Sequence, residues 1–542
     1  MKKILLFLLF SQFFFSQQWS ISFAERNALI SIYNSTSGDQ WSQKWDMQKD
    51  PKYWYGIKIK NGSVTEINLR GNALKGNFPQ QVSLFNNLQK LDLSSNQLTG
   101  DIPQSLGAST GLVRLDISNN RFTGDPTAAL LPLTNLTELS IGNNNFAIGD
   151  IETFLQNFPK IETLDLAHIG LTAVPQNLSQ IPKLTALNLS NNSLSQNFGN
   201  LSTLISLQEL DLSGNGLTKI PSEIAPLTRL TSLNVGNNLF TTNFAGPLAS
   251  LLNLQWLSFQ GNQISDFPAE LSQLTKLIHL NFADNKISSG FQQLRILKDL
   301  EQIFLDKNLI TTFPETLLQL RNLQMLSLTN NQISGEIPDN IPALTFLDNN
   351  RFTKQQIKNF ILKEKQLADF TYSPQRYDDP LTIAVNPGAP ANLQQSLSGP
   401  EFQFTWFKNL DQKTNVTSEN YYLNSTREED FTQYTCEVYY FEQLPKELME
   451  VAFYREPITL NKELATAEIN RELVVYPNPA TDFIHIKSMK IDIEKVFIHD
   501  LSGKMVYSGN ERRISVSHLP SSTYVISIKT SDGVKSFKFI KY

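Results

Sequence analysis

The sequence has 542 residues, of which 46 are basic and 51 acidic, and hydrophobic residues make up 40% of it. This apolar content excludes a largely disordered chain, because there is enough hydrophobic material for a core. The formal net charge of −5 provides no basic surface for phosphates, so nucleic acid is excluded as a partner. The length corresponds to about three or four domains.

The N-terminus has the features of a secretory signal peptide. Lys2 and Lys3 precede an apolar run from Ile4 to Phe15, and small and polar residues follow the run. This run is shorter than the ~20 residues that a membrane span requires. Residues 1–17 are therefore predicted to be a signal peptide, with a buried helix as the alternative, and no transmembrane segment is expected.

A period of 23 or 24 residues dominates residues 63–352. The repeating pattern is L-x-x-L-x-L-x-x-N-x-L, as in Leu88–Leu98 and Leu207–Leu217. The repeated asparagines are Asn72, Asn96, Asn120, Asn144, Asn192, Asn215, Asn238, Asn262, Asn285, Asn308 and Asn331. One interval is doubled, and Ile169 takes the place of asparagine within it. About twelve or thirteen repeats are predicted, with a local irregularity at Ile169.

The physical basis of this period is a stack of short strands. Alternate side chains of a strand point to opposite faces, so the leucines of each repeat turn inward. One repeat cannot bury its leucines alone, which makes the array stable only as a stack. The asparagine amide is expected to bond backbone groups that water cannot reach. Proline, as at Pro103 and Pro221, suits the start of a helical turn on the convex side.

These repeats resemble the leucine-rich-repeat family, which implies an α/β solenoid in the form of a horseshoe. Early repeats with L-T-G-x-I-P, as at 98–103, resemble its plant-type subfamily. Later repeats, such as those containing Phe267-Pro268 and Phe313-Pro314, resemble the shorter bacterial variety. The resemblance also implies that both ends of the array are capped, because terminal leucines would otherwise face water.

The two predicted caps flank the repeats. Residues 18–62 resemble the plant-type N-terminal cap, with a helical segment and core tryptophans Trp41 and Trp45. Tyr53 and Ile59 stand where that family has cysteines, so the resemblance implies the same packing without the disulfide. Residues 353–378 are predicted to form a C-terminal cap helix and a linker, from the helical spacing of Ile357, Phe360, Ile361 and Leu367.

Residues 379–461 alternate in the manner of β-strands, as at Phe402, Phe404 and Trp406. The pattern D-x-x-x-Y-x-C at Asp430–Cys436 resembles the tyrosine corner of an immunoglobulin-like β-sandwich, with Trp406 as its core tryptophan. Leu393 occupies the place of that family's other cysteine. Cys436, the only cysteine of the sequence, is expected to be a small buried hydrophobe; a reactive thiol is the alternative.

Residues 473–542 resemble the C-terminal sorting domain of the type IX secretion system. The matching segments are Val475–Asp482, Val496–Lys504, Leu519–Ile528 and Lys538–Lys541, and Thr523 departs from the family's usual glycine. The resemblance implies a small β-sandwich that the type IX secretion machinery recognises and then removes. It also implies a Bacteroidetes-type bacterium and a secreted or outer cell-surface location.

The sequence contains no recognisable catalytic or metal-binding motif. H-E-x-x-H, paired C-x-x-C, G-x-S-x-G and phosphate-cradling loops are missing from it. Of the five histidines, only His168 and His279 lie outside the predicted sorting domain, and about five coils separate them, too far apart to share a metal ion. We therefore expect neither an enzyme nor a cofactor.

The outward positions of the predicted concave sheet change in character along the array. They are small or charged in the N-terminal half and become bulky at Trp256, His279, Phe304 and Met325, with Gln260, Gln302 and Asp306 beside them. Contiguous exposed apolar residues are typical of interaction sites. These seven residues are the candidate ligand-binding set. Docking against the immunoglobulin-like module and mutual bracing are the alternatives.

Together these observations predict a secreted or cell-surface binding or adhesion protein whose concave sheet recognises a protein or a glycan. An extended rigid sheet favours large ligands over small molecules. Two alternatives are a structural stalk without a specific ligand and an accessory binding protein of a secreted hydrolase system.

Overall fold

The computed structural model describes residues 19–363, 370–445, 447–463, 473–488, 492–501, 503–531 and 533–542. The predicted signal peptide and Leu367 lie outside these ranges. The chain divides into two compact units. Unit 1 comprises Met1–Arg376 and Tyr439–Phe453, and unit 2 comprises Tyr377–Val438 and Tyr454–Tyr542.

Unit 1 consists of short strands joined by short helices. Its α-helices are α1 (Phe23–Ser35), α2 (Thr127–Leu130), α3 (Ile151–Leu155) and α4 (Lys354–Lys363). Its first strands are β1 (Ile57–Lys60), β2 (Ser63–Asn68), β3 (Lys75–Asn77), β4 (Lys90–Asp92), β5 (Gln97–Asp101), β6 (Arg114–Asp116), β7 (Arg121–Thr123), β8 (Glu138–Ser140) and β9 (Thr163–Asp165). The remaining strands are β10 (Ala186–Asn188), β11 (Glu209–Asp211), β12 (Ser232–Asn234), β13 (Trp256–Ser258), β14 (His279–Asn281), β15 (Gln302–Phe304), β16 (Met325–Ser327), β17 (Leu344–Phe346) and β18 (Gln375–Arg376).

One long sheet runs the length of the solenoid. In the described part of the chain it has fourteen strands, in the order β1, β2, β4, β6 and then β8 to β17. Its strands are parallel except for the antiparallel pair β1 and β2. Strand β9, in the coil that contains Ile169, pairs in register with both β8 and β10. The irregularity expected at Ile169 is therefore not found in the strand register.

The repeated asparagines form a hydrogen-bonded ladder beside the leucine core. The Nδ2 group of Asn215 donates to the carbonyl oxygens of Leu189, Leu212 and Ser213 at 3.0–3.1 Å. Its Oδ1 accepts a hydrogen bond from the backbone nitrogen of Leu194 at 3.2 Å. Each asparagine thus joins its own turn to the preceding coil, because its amide has both donors and an acceptor.

The convex side consists mainly of 3₁₀-helices, which begin after proline in many coils, as after Pro103 and Pro221. In the described residues of both units, the 3₁₀-helices are Gly38–Gln40, Pro51–Tyr53, Gln80–Leu84, Gln104–Ala108, Gln176–Gln180, Phe198–Thr203, Ser222–Ile224, Gly246–Ser250, Ala269–Gln273, Phe291–Ile296, Glu315–Gln319 and Glu428–Asp430. The expected helical turns are therefore present, in the tighter 3₁₀ form.

The early repeats carry a second sheet that the sequence did not indicate. Strands β3, β5 and β7 pair in parallel. In β3, Gly76 has φ +108°, and a Cβ there would lie 2.6 Å from the carbonyl oxygen of Ser35. Only glycine permits this close approach of two backbones.

Aromatic packing replaces a disulfide in the N-terminal cap. Helix α1 begins after Ser22, whose hydroxyl accepts a hydrogen bond from Glu25 N at 3.1 Å. Trp41, Trp45 and Trp54 are buried, with ring centroids 5.0 and 4.8 Å apart along the series. Tyr53 is exposed, so the neighbouring Trp54 supplies the core contact in this cap.

The C-terminal end of the solenoid is closed from within unit 1. Ile357 and Phe360 of α4 are buried, as the helical spacing predicts. The side chain of Gln375 extends the asparagine ladder: it donates to Leu347 O at 2.9 Å and accepts from Phe352 N at 3.0 Å. Residues 439–453 also belong to this unit, and Lys358 pairs with Glu442 at 2.5 Å.

The remaining strands include those that cross the boundary between the units. They are β19 (Leu381–Val385), β20 (Ala391–Leu393), β21 (Phe402–Lys408), β22 (Gln412–Lys413), β23 (Tyr421–Leu423), β24 (Gln433–Gln443), β25 (Leu448–Tyr454), β26 (Ile458–Lys462), β27 (Leu473–Tyr476), β28 (Phe483–Ser488), β29 (Ile493–His499), β30 (Met505–Gly509), β31 (Arg513–Ser515), β32 (Ser522–Thr530) and β33 (Gly533–Lys541). Within unit 2, β19 pairs with β26, β20 with β23 and β21 with β22.

The module that contains Cys436 has a fully buried core. The hydroxyl of Tyr434 donates to Asp430 O at 3.1 Å, which is the contact of a tyrosine corner. Trp406, Leu393 and Cys436 are buried. Burial raises the pKa of the Cys436 thiol to about 12, so the sulfur is protonated and inert. The immunoglobulin-like assignment of residues 379–461 stays a prediction.

The C-terminal module has two antiparallel sheets around one core. One sheet has the order β27, β28, β31, and the other the order β30, β29, β32, β33. The side chains of Ile484, Val496, Ile526 and Phe539 are fully buried in the shared core. The alternation of apolar residues in these strands therefore serves a sandwich, as the sequence predicts.

Candidate ligand-binding surface on the concave sheet

In the long sheet, strands β4, β6 and β8 to β17 have three residues each, and the register decides which of them face outward. The central residue, for example Leu257 of β13, is fully buried in the leucine core. The first and third residues point to the opposite face of the sheet because side chains alternate along a strand. Adjacent strands lie about 4.8 Å apart, so outward residues of successive coils can touch.

We call Trp256, His279, Phe304 and Met325 the aromatic patch. All four side chains are partly buried. The rings of Trp256 and His279 stack with centroids 5.2 Å apart and an interplanar angle of 17°. The rings of His279 and Phe304 lie 5.1 Å apart at 36°. Three of the four candidate side chains therefore form a continuous stack across β13, β14 and β15.

The aromatic patch occupies two rows of the sheet. Trp256, His279 and Met325 are first residues of their strands, whereas Phe304 is the third residue of β15 and pairs with Asn281. Gln302 lies in register between His279 and Met325. The stack of rings is therefore diagonal, and Met325 is separated from His279 by an amide side chain.

His279 is neutral in this setting. Its burial lowers the pKa of the imidazole, and the hydrogen bond with Gln302 opposes that shift. The distance between His279 Nδ1 and Gln302 Oε1 is 3.1 Å. A neutral imidazole between two aromatic rings makes this part of the sheet uncharged and apolar.

Gln260 and Asp306 lie beside the patch at positions beyond the strands. Gln260 is exposed, and its Oε1 accepts a hydrogen bond from Asn281 at 3.2 Å. Asp306 accepts hydrogen bonds from Ser327 and from both the backbone nitrogen and the hydroxyl of Thr329, the last at 2.6 Å. Asp306 therefore ties two coils together, a role that its sequence position did not reveal.

A recess of about 440 Å³ adjoins the aromatic patch, and the sequence analysis did not predict it. We call it the acidic recess; it is lined by Thr163, Leu164, Asp165, Ala186, Leu187, Asn188, Glu209, Leu210, Asp211, Ser232, Asn234 and Trp256. The short side chain of Ser232 leaves the space between Glu209 and Trp256 open, and Ala186 is equally short on the other side of Glu209. The sequence feature that could have predicted the recess is the short side chain at the first residue of strands β10 and β12.

Electrostatics distinguish the acidic recess from the patch. Burial raises the pKa of Asp165 to about 6, against the hydrogen bond from Ala167 N, and the charges of Asp116 and Asp211 raise it further. Asp211 accepts hydrogen bonds from Ser213 and from Asn234 Nδ2, the latter at 2.9 Å. The recess is thus a concave, negatively charged surface with one aromatic wall.

The described residues contain no group of three or more His, Cys, Asp or Glu side chains that could hold a metal ion. None of the helices in the described ranges has the length and apolar composition of a membrane span.

Family models match three parts of the chain. Residues 474–542 match the secretion system C-terminal sorting domain. Residues 205–247 match a model of two leucine-rich repeats, and residues 87–109 and 322–344 match the single leucine-rich repeat. None of the curated proteins matches the sequence.

Several solved structures are similar to this chain. An internalin from Listeria monocytogenes is 29% identical over 51% of this chain and 87% of its own, with a TM-score of 0.39. A leucine-rich-repeat protein of Leptospira interrogans is 28% identical over 56% of this chain and 83% of its own, with a TM-score of 0.45. The ectodomain of the Arabidopsis receptor kinase HAESA, solved with an IDA peptide hormone, is 24% identical over 66% of each chain, with a TM-score of 0.49.

The repeats, the solenoid and the C-terminal module support a single assignment. Leucine-rich repeats are a protein-binding architecture, and the sorting domain directs export to the cell surface or beyond it. The chain is therefore a secreted leucine-rich-repeat protein of the Bacteroidetes type, with a C-terminal sorting domain of the type IX secretion system.

Proposed function

We propose that this protein is a non-enzymatic, surface or secreted adhesion protein that holds a protein ligand on its concave sheet. The observation that carries the proposal is the continuous ring stack of Trp256, His279 and Phe304 on that face. Stacked, partly exposed aromatic side chains provide large contact area at low cost in side-chain entropy. A rigid parallel sheet keeps them in place before the ligand arrives.

A glycan is the other ligand that the sequence suggests, and the negative recess beside the patch favours a protein. Protein surfaces offer basic side chains that neutralise these carboxylates, whereas a neutral sugar offers them hydroxyl donors without a compensating charge. A stalk without a ligand would have no use for uncharged rings facing solvent, because such patches are uncommon on surfaces without partners.

The test compares two double variants of the full chain in binding to immobilised bacterial and host surface proteins. Trp256→Ser with Phe304→Ser removes two rings of the patch, and we expect binding at least about 30-fold weaker, since the loss of even one hot-spot residue costs about 2 kcal/mol. Ile205→Ser with Ile296→Ser is the control, because both side chains are at least half exposed away from the concave strands.

Protease and glycosidase treatment of the immobilised material identifies the ligand class. Loss of binding after protease treatment supports a protein ligand, and loss only after glycosidase treatment contradicts it. Equal binding by the wild type and the Trp256→Ser, Phe304→Ser variant, with both folded by circular dichroism, rules out the aromatic patch as the site.

A further inference from the structure

The acidic recess is large enough to hold a ligand group. Its volume of about 440 Å³ lies within the range of about 300–1,000 Å³ for ligand pockets. The floor consists of the short side chains of β9, β10 and β12, and Trp256 forms the wall on the side of the aromatic patch. An occupant of the recess therefore also touches the patch.

The carboxylates of the recess differ from those of β4 and β8, which lie beside an arginine. On the N-terminal side, Arg114 pairs with Glu138 at 2.9 Å and with Asp92 at 3.8 Å. Among the described residues, the lining of the recess includes Asp165, Glu209 and Asp211 and no lysine or arginine. Negative charge is thus uncompensated within the lining of the recess, which favours a positively charged occupant.

Trp256 offers a second attraction for a cation. One face of its indole stacks on His279 at 5.2 Å, and the residue also borders the recess. Indole is the aromatic group that attracts cations most strongly, and a guanidinium can stack on it while donating to a carboxylate. A carboxylate and an indole on opposite sides of one pocket suit arginine better than lysine, whose ammonium is a compact point charge.

We propose that the acidic recess receives an arginine side chain from a basic segment of the bound protein. This proposal rests on the proposed function, since it assigns the chemistry of the ligand held on the same sheet. The aromatic patch then contacts apolar residues that flank this arginine. Ligands with a negative surface, including acidic glycans, are repelled from this stretch of the sheet.

The test uses the full chain and two peptides that differ only in charge. One is a blocked tri-arginine peptide, and the other contains citrulline, which keeps the shape of arginine and lacks its charge. We expect the arginine peptide to bind at least about tenfold more tightly in calorimetry, because the charge-assisted contacts vanish with citrulline. Binding is expected to weaken as salt rises.

Two pairs of substitutions test whether the peptide binds in the acidic recess. Asp165→Asn with Glu209→Gln removes two charges from the recess and should weaken arginine-peptide binding about tenfold. Glu315→Gln with Glu336→Gln is the matched control, because it removes two charges from exposed positions outside the concave strands. Equal weakening by both pairs shows attraction by net charge alone and overturns the proposal.

Two outcomes separate this proposal from the proposed function. If the citrulline peptide binds as tightly as the arginine peptide, or neither binds, the arginine assignment fails even when Trp256→Ser with Phe304→Ser still abolishes binding of surface proteins. If the arginine peptide binds at the recess and the patch variant captures surface proteins normally, the recess stands and the aromatic patch loses its role.

Discussion

Strands β9–β12 and strands β13–β16 of the concave sheet have the same length, the same register and the same buried central residue. Their outward side chains differ: the first stretch is small and acidic, and the second is bulky and uncharged. The comparison shows that the buried central residues are compatible with the same backbone throughout, while the outward side chains differ in size and charge. One repeat architecture therefore presents two chemically different surfaces next to each other.

Substitution of the inward asparagines should lower the stability of the protein most, and by the same amount in both stretches. Asn215→Ala and Asn308→Ala each leave buried backbone groups without partners. We expect each substitution to lower the free energy of unfolding by about 3–5 kcal/mol, measured by urea denaturation.

Asn322→Ala is the control, because that exposed amide bonds a single carbonyl oxygen, of Lys298. It should cost less than about 0.5 kcal/mol. A difference of more than about 2 kcal/mol between Asn215→Ala and Asn308→Ala contradicts the idea of one common frame.

Asp165→Asn should stabilise the protein at neutral pH and not in acid. The folded pKa of about 6 lies above the ordinary 3.8, so the folded state binds the proton more tightly than the unfolded chain. The stability that this group supplies is complete below pH 3.8 and is lost as pH rises through 6. With a discount for partial exposure, we expect a gain of about 2 kcal/mol at pH 7.5 and little change at pH 3.5.

The main reason for the Asp165 effect is the burial of its carboxylate, and repulsion by nearby carboxylates adds to it. Asp116 and Asp211 raise its pKa, and asparagine already occupies the equivalent position at Asn188 and Asn234. Asn188 accepts the same backbone hydrogen bond, from Ser190 N at 2.9 Å. A stabilisation that does not depend on pH would show that the charge of Asp165 is not the cause.

Ser232→Trp tests the boundary between the two stretches by filling the recess. Ser232 pairs in register with Glu209 and Trp256, so the introduced indole enters the space between them. Binding of the tri-arginine peptide should weaken about tenfold, equivalent to about 1.4 kcal/mol. Ser250→Trp is a control at the exposed end of a convex 3₁₀-helix, and it should leave peptide binding unchanged.

Ile169→Asn should produce the smallest effect, a stabilisation of about 1 kcal/mol. His168 has φ +51°, as Asn143 and Asn191 have φ +55° at the same place in their coils, so the turn already has the geometry that asparagine requires. The new amide can bond the carbonyl oxygens that asparagine reaches elsewhere. Ile169→Ala lacks the amide, and an equal gain from that substitution would contradict this explanation.

The sequence alone predicts the solenoid backbone and part of the candidate site. Leucine and asparagine spacing predicts the strands, and neighbouring outward positions predict the contact between Trp256 and His279. It could not predict the acidic recess, because a cavity depends on what several coils leave empty. It also did not reveal the hydrogen bonds of Asp306 with Ser327 and Thr329 of the following coil, and its place in the candidate set stays a prediction.

The single cysteine has a consequence for where this protein can operate. Cys436 is buried and its thiol is protonated, and tryptophans replace sulfur chemistry in the N-terminal cap. Folding then needs neither an oxidant nor a disulfide isomerase, and the folded state has no internal disulfide that thiols in the surroundings could reduce. The concave surface can therefore keep its shape in oxidising and in reducing surroundings.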